Sequence, residues 1–183
     1  MIRQLGLVGC GLMAGSFALA LRRAGLVERV VAFSPSERTT RRALELNIID
    51  QRAESAAQAV SGSDVVLLGV PVRSTQACLS ELRDHLAPDA LLMDVGSTKG
   101  DVVAAARAAL GERLDCFVPA HPIAGKESAG IDHAETWTTH ESTVRYITTP
   151  VRRECVRRAP EDRGARAPGV GGVCRRRHLR GVP

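Results

Sequence analysis

The sequence predicts an α/β fold, a doubly wound parallel sheet with helices on both faces, and three observations lead to this prediction. Short runs rich in branched apolar residues alternate with longer stretches of helical periodicity over residues 1–120. The run VVLL at residues 65–68 is apolar at every position, as a strand covered on both faces requires. A glycine-rich segment at residues 9–15 joins the first apolar run to the first helical stretch.

The alternation places the elements in order along the chain. Strands are expected at residues 4–8, 29–33, 64–70, 91–95 and 116–120, and helices at residues 12–24, 37–46, 73–86 and 102–110. Thr98 and Asp101 form a helix-start signal ahead of the last of these helices. Beyond about residue 135 the periodicity weakens, and residues 144–148 are the remaining candidate strand.

Length and composition restrict the classes of protein to consider. A chain of 183 residues has room for one domain and little more. No window holds the ~18 uninterrupted apolar residues of a membrane span, and the N-terminus lacks the regions of a signal peptide. The five cysteines are dispersed without a C-x-x-C pair, which argues against a disulfide framework or a metal site. We therefore expect a cytoplasmic protein without a membrane or metal partner.

The positive charge of the chain resides at its end. Residues 151–183 contain ten arginines and three acidic residues, a net charge of +7, whereas the whole chain carries +5. Residues 1–150 are therefore mildly acidic and form the predicted folded domain, and residues 151–183 form an arginine-rich tail that we expect to be disordered. Such a tail can neutralise phosphates, but it has no aromatic residue to stack on bases. We expect weak and unselective nucleic-acid binding at most.

The segment GCGLMA at residues 9–14 fits G-x-G-x-x-A in its required position between a strand and a helix. Gly9 permits the tight turn, Gly11 lets a pyrophosphate approach the backbone, and Ala14 lets the helix pack closely on the strand. The free N–H groups at the helix start attract the phosphates. The pattern predicts a Rossmann-type NAD(P)-binding domain over residues 1–150. The residues expected to hold the pyrophosphate are Gly9, Gly11, Leu12, Met13 and Ala14.

The end of the second predicted strand bears on the choice of cofactor. NAD-preferring sites usually carry Asp or Glu there, but this chain has Ser34. Ser34 can hydrogen-bond a ribose 2′-phosphate, and Arg38 or Arg41 can pair with it. We therefore expect NADP as the preferred cofactor, with NAD possible. The alternative is that these arginines only solvate a helix face.

Two further segments follow strands at the edge where open α/β sheets bind ligands. They are DVGSTKG at residues 94–100 and HPIAGKESAG at residues 121–130. His121 is the natural general base for oxidation of an alcohol, because the imidazole pKa lies near neutral pH. The alternative interpretations are a structural histidine at His121, a helix cap at Ser97 and a solvated charge at Lys99.

These motifs resemble those of the prephenate/arogenate dehydrogenases. GCGLMAGS is similar to the family's nucleotide fingerprint, DVGSTKG to its serine-bearing loop and HPIAGKESAG to its catalytic-histidine segment. GVPV at residues 69–72 is similar to the strand end beside the nicotinamide, which implies cofactor contacts for Val70 and Pro71. The resemblance covers residues 4–134.

The resemblance implies an oxidative decarboxylation in tyrosine biosynthesis. Prephenate or arogenate would lose a hydride to the nicotinamide and its ring carboxylate as carbon dioxide. His121 would hydrogen-bond the ring hydroxyl and take up its proton, and Ser97 would help orient both groups. Glu127, with Gly125, would shape the mouth of the site. The resemblance does not choose between the two substrates.

The family continues into a mostly helical second domain that forms a homodimer and binds the side-chain carboxylate of the substrate. Residues 151–183 lack helical periodicity, so we expect most of that domain to be absent. We hypothesise a frameshift or truncation between about residues 135 and 151. Two alternative functions stay open: an inactive NADP-binding remnant, and another Rossmann reductase related to the β-hydroxyacid dehydrogenases.

Overall fold

The computed structural model describes residues 1–122, 130–134 and 144–146, with the backbone alone at residues 122 and 144–146. The strands are β1 (Ile2–Val8), β2 (Val27–Phe33), β3 (Gln51–Arg52), β4 (Val65–Leu68), β5 (Leu91–Asp94), β6 (Phe117–Val118), β7 (Ala120–Pro122) and β8 (Val144–Tyr146). The α-helices are α1 (Leu12–Arg23), α2 (Glu37–Glu45), α3 (Ala56–Val60), α4 (Thr75–Leu82) and α5 (Lys99–Leu110). Short 3-10 helices lie at Val72–Ser74, Arg83–His85, Gly111–Cys116 and Ile131–His133.

Six strands form one parallel sheet in the order β3-β2-β1-β4-β5-β6. β1 pairs with both β2 and β4, so the strand order reverses at β1. This reversal is the topological switch point, beyond whose carboxyl ends open α/β sheets bind their ligands. The predicted Rossmann-type, doubly wound parallel sheet is confirmed.

Apolar side chains cover both faces of the sheet. Along β4, Leu67 belongs to the core cluster that includes Ala18 of α1. Its neighbours Val66 and Leu68 belong to the opposite cluster, which includes Leu79 of α4. Successive residues of a strand point to opposite faces, so a strand between two helical layers is apolar throughout. The prediction for the run at residues 65–68 is therefore confirmed.

Two short elements between α2 and β4 were not predicted from the sequence. β3 is only two residues long and lies at the edge of the sheet, where both of its residues are polar and half-buried. α3 has five residues and begins after Ser55, whose hydroxyl accepts a 3.1 Å hydrogen bond from the backbone N–H of Gln58. Neither element is long enough to display a period of apolar residues.

The strand expected at residues 116–120 is divided in the structure. β6 ends at Val118, and β7 begins at Ala120 and pairs antiparallel with β8 in a separate two-stranded sheet. Pro119 stands between them and has no backbone N–H with which to continue the parallel ladder. The prediction of one continuous strand was therefore wrong.

Two predicted helix boundaries also need correction. The helix expected at residues 73–86 is α-helical only over Thr75–Leu82 and is flanked by 3-10 turns. The helix expected from residue 102 begins at Lys99, with Thr98 at the N-cap position. The Thr98 side chain makes no capping hydrogen bond with the described residues. The Thr98–Asp101 signal therefore predicted where the helix begins but not how its first turn is capped.

Across the described residues, no helix has the length and apolar character needed to cross a membrane. In the same part of the chain, no three His, Cys, Asp or Glu side chains are grouped closely enough to hold a metal ion. The predicted tail at residues 151–183 lies outside the described residues.

Candidate active site

The turn after β1 lies at the switch point of the sheet. Gly9 has a φ of +88°, a conformation that L side chains rarely adopt. A Cβ on Gly9 would lie 2.5 Å from the carbonyl oxygen of Gly69, which follows β4. A Cβ on Gly69 would in turn lie 2.8 Å from the carbonyl oxygen of Gly9 and 3.2 Å from the Cβ of Ala14. The ends of β1 and β4 can approach this closely only because these positions carry no larger side chain.

The start of α1 faces open space. Gly11 is its N-cap residue, and no described atom lies within 4 Å of a Cβ placed on it. Within the described chain no side chain caps this helix, and its first turn carries no acidic residue. The N–H groups of the first turn have no partner inside the helix, and the helix dipole adds partial positive charge. Leu12 and Met13 therefore stand where a pyrophosphate would bind, and the residues present fit that group.

A pocket of about 560 Å³ opens at the carboxyl end of β2. The residues that line it are Phe33, Ser34, Pro35, Glu37, Thr40, Arg52, Ala53 and Glu54. Among the described residues, Arg38 is exposed and is not part of this lining. Arg52, and neither Arg38 nor Arg41, is the arginine that lines this pocket. Arg52 was not singled out from the sequence because β3, on which it lies, was not predicted.

Arg52 is held inside the pocket by two neighbours. Its Nε donates a 3.0 Å hydrogen bond to the Thr40 hydroxyl, and its guanidinium lies 3.5 Å from the Glu37 carboxylate. Glu37 also pairs with Arg41 at 3.3 Å. The pocket thus contains one fixed cation on its wall, beside the hydroxyl-bearing Ser34.

The segment after β4 comes next along the same edge. The backbone N–H of Gly69 donates a 2.8 Å hydrogen bond to the carbonyl of Val8, which ties the two strand ends together. Val70 is half-buried against the core, and Pro71 is exposed. The backbone nitrogen of Val70 lies 3.1 Å from a Cβ placed on Gly9, and Pro71 is the next residue along the chain.

The loop after β5 is organised by a buried ion pair. Asp94 is only 3% exposed and contacts the ammonium group of Lys99, which is itself buried. The burial of Lys99 and its contact with Asp94 rule out the alternative interpretation of Lys99 as a solvated charge. Burial lowers the pKa of the Lys99 ammonium group, and the hydrogen bond to Asp94 opposes this effect.

His121 contacts this loop directly. Its Nδ1 lies 3.2 Å from the carbonyl oxygen of Gly96. A carbonyl oxygen can only accept, so in the neutral imidazole Nδ1 carries the hydrogen and Nε2 keeps its lone pair. The histidine is half-buried, and the structure therefore presents a group that can accept a proton at Nε2.

The histidine segment contacts the serine-bearing loop at Gly96 and not through the side chain of Ser97. Ser97 directly follows Gly96, the partner of His121, and its side chain is exposed. Thr98 and not Ser97 occupies the N-cap position of α5. Glu127 lies outside the described residues.

Residues 130–134 anchor the far end of the histidine segment on α1. Ile131 is buried, and Asp132 pairs with Arg42 of α2 at 2.5 Å. A Cβ on Gly15 would lie 2.5 Å from the Cδ1 of Ile131 and 2.9 Å from the Cβ of Ala134. The small residue after the G-x-G-x-x-A pattern therefore provides the docking surface for this segment.

A Gly15→Ala variant is expected to lower the free energy of unfolding by about 1 kcal/mol. Overpacking against Ile131 and Ala134 costs about 1–3 kcal/mol, and the better helix propensity of alanine offsets about 1 kcal/mol of it. Denaturant unfolding measures the change. Gly100→Ala in α5 is the matched control, because no described atom lies within 4 Å of its Cβ position. A Gly15→Ala protein as stable as the Gly100→Ala protein would contradict the docking.

The described parts of the functional motifs lie at one edge of the sheet. β1, β4, β5 and β6 run parallel, so the segments that follow them lie at the same carboxyl edge. Residues 17–166 match the family described as "Prephenate dehydrogenase, nucleotide-binding domain". The chain belongs to the prephenate dehydrogenase family. The predicted family resemblance is confirmed.

Individual members of the prephenate dehydrogenase family support this assignment. The chain is 35% identical to prephenate dehydrogenase of Bacillus subtilis over 145 residues, which are 79% of this chain and 38% of that protein. It is 31% identical to cyclohexadienyl dehydrogenase of Zymomonas mobilis, over 75% of this chain and 47% of that protein. The chain thus spans less than half the length of these curated relatives.

A solved family structure has the same fold. The crystal structure of prephenate dehydrogenase from Aquifex aeolicus, in complex with hydroxyphenyl propionate and NAD+, superposes with a TM-score of 0.75 at 30% identity. The alignment covers 86% of this chain and 55% of that one.

Proposed function

We propose that this chain carries the cofactor-binding half and the proton acceptor of an NAD(P)-dependent oxidative decarboxylation of prephenate or arogenate, a step of tyrosine biosynthesis. The observation that carries the proposal is the contact between His121 Nδ1 and the Gly96 carbonyl. This contact leaves Nε2 as a proton acceptor at the same sheet edge as the G-x-G-x-x-A turn. Family membership and the names of the relatives support the choice of substrate class.

In the proposed reaction the substrate supplies a ring carbon that bears both a hydroxyl and a hydrogen. When bound, the dinucleotide supplies the hydride acceptor. His121 Nε2 takes the hydroxyl proton as the hydride leaves that carbon. The bond to the ring carboxylate then breaks, carbon dioxide leaves, and the electron pair completes the aromatic ring. The proton returns from His121 to the oxygen of the product. Ser97, next to the partner of His121, would help orient the hydroxyl.

The direct test is turnover by the purified chain. Formation of reduced cofactor is followed by absorbance with prephenate, with arogenate and with a β-hydroxyacid, each with NADP and with NAD. We expect reduction that depends on prephenate or arogenate, and none with the β-hydroxyacid. Binding of the cofactor without turnover of either cyclohexadienyl substrate would favour the inactive remnant. Turnover of the β-hydroxyacid alone would favour another reductase.

We also propose that NADP is preferred over NAD. Ser34 lies at the end of β2, where NAD-preferring sites carry an Asp or Glu, and Arg52 lies on the wall of the pocket. Glu37 also lines the pocket, but it is paired with Arg41 and Arg52. A 2′-phosphate in this pocket would gain a charge-assisted hydrogen bond from the guanidinium.

An Arg52→Gln variant is expected to bind NADP about tenfold more weakly, with little change for NAD. A hydrogen bond to a charged group contributes about 1.5–3 kcal/mol, and tenfold corresponds to about 1.4 kcal/mol. Calorimetric titration with both cofactors measures the two dissociation constants. Arg38→Gln is the matched control, because Arg38 is exposed and not among the residues that line the pocket. An equal loss for NADP and NAD would assign Arg52 a purely structural role.

A further inference from the structure

The buried carboxylate of Asp94 bonds to both segments of the candidate active site. Its Oδ2 accepts a 2.8 Å hydrogen bond from the backbone N–H of Gly96 and contacts the ammonium group of Lys99. Its Oδ1 accepts a 3.2 Å hydrogen bond from the backbone N–H of Ala120. A carboxylate this deeply buried requires compensation, and Lys99 with the two amides supplies it.

These two amides flank the hydrogen bond of the histidine. Gly96 provides the carbonyl oxygen that faces His121 Nδ1, and Ala120 immediately precedes His121 in the chain. Asp94 therefore holds Gly96, whose carbonyl is the acceptor, and the backbone at Ala120, which precedes the donor His121. Without this fixation, a neutral imidazole can place its hydrogen on either ring nitrogen.

We propose that Asp94, held in place by Lys99, is a positioning residue that keeps neutral His121 in its Nδ1–H tautomer. The consequence is that Nε2 remains the proton acceptor toward the substrate. This inference rests on the proposed function, in which Nε2 takes the hydroxyl proton. Asp94 does not contact the reacting atoms; it acts through the backbone on both sides of the His121–Gly96 hydrogen bond.

The test reads the tautomer directly from the ring nitrogens. In the full chain labelled with ¹⁵N, at a pH where the imidazole is neutral, we expect His121 Nδ1 to be protonated and Nε2 to be unprotonated. Asp94→Asn removes the charge and one acceptor, but it leaves Lys99 buried without its partner. The double variant Asp94→Asn with Lys99→Met removes both charges, so it avoids the uncompensated buried ammonium group of the single variant, and we expect it to fold. In a folded variant, we expect both His121 nitrogen shifts to move toward values averaged over the two tautomers.

Asp64→Asn is the matched control. The Asp64 carboxylate also accepts two backbone N–H groups, from Arg3 at 2.7 Å and Gln4 at 3.3 Å, but at the opposite end of the sheet. We expect it to leave the His121 shifts unchanged. Unchanged His121 shifts in a folded Asp94 variant would overturn the proposal, as would an Nε2–H tautomer in the unsubstituted chain.

The tautomer measurement needs neither substrate nor cofactor, so it stands apart from the proposed function. An inactive chain with the expected tautomer would contradict the proposed function but still support the positioning role of Asp94. An active chain adds a second readout: the folded variant is expected to lose at least about tenfold in kcat, with the dissociation constant for NADP unchanged. A parallel loss of NADP binding would point to general disruption of the domain and count against positioning.

Discussion

A Gly9→Ala variant is expected to lose dinucleotide binding and about 3 kcal/mol of the free energy of unfolding. Alanine at a φ of +88° costs about 1–2 kcal/mol. Its Cβ would also lie 2.5 Å from the Gly69 carbonyl oxygen, and overpacking of a rigid neighbour costs about 1–3 kcal/mol more. The turn must therefore shift, and the N–H groups of α1 shift with it. Denaturant unfolding and titration with NADP measure the two effects.

Gly25→Ala separates the two causes of this effect. Gly25 follows α1 with a φ of +66°, but no described atom lies within 4 Å of its Cβ position. We expect it to cost about 1–2 kcal/mol through backbone strain alone and to leave NADP binding unchanged. If both variants lost the same stability and kept the cofactor, the close approach of the β1 and β4 ends would have no special importance.

A His121→Asn variant is expected to lower kcat by about 10²–10⁴-fold, the usual contribution of a general base. Asparagine keeps a donor for the Gly96 carbonyl but has no basic nitrogen at the position of Nε2. The dissociation constant for NADP is expected to stay the same, because the proposed pyrophosphate and ribose sites lie on other loops. Steady-state kinetics with prephenate and arogenate, together with NADP titration, measure both quantities.

The control for this substitution is His133→Asn, at an exposed histidine near the docked end of the same segment. It is expected to retain the activity of the unsubstituted chain. A His121→Asn enzyme with unchanged kcat would remove the histidine from the mechanism and leave the proton with another group.

Local patterns predicted the elements that define the fold, because each pattern has a direct physical cause. VVLL at residues 65–68 is apolar because helices cover both faces of β4, and the glycines after β1 are visible in any sequence. β3 was not predicted because its two polar residues are too few to show the alternation of apolar and polar side chains that marks a strand. Arg52 lies on that strand, so the arginine that lines the pocket at the end of β2 was not predicted either.

The sequence predicted the reactive histidine of the candidate site but not the buried residues that hold it in place. His121 was singled out by its chemistry and by the segment around it. The burial of Asp94 and Lys99 could not be predicted in the same way, because Asp and Lys side chains are usually exposed to solvent. Their burial depends on the packing of β5, α5 and β7, which the sequence does not display locally. The one available signal was the position of Asp94 at the end of a strand expected to be buried.

The mutual contact of Gly9 and Gly69 has a consequence for how this domain can change. Each added Cβ would meet the other residue's carbonyl oxygen, a backbone atom that every amino acid possesses. A second substitution therefore cannot relieve the first, as a smaller side chain can in an ordinary core. No compensating substitution is therefore open to natural evolution or to protein design. Only a movement of the β1 end relative to the β4 end would admit a larger residue at either position, and that movement would rebuild the switch point itself.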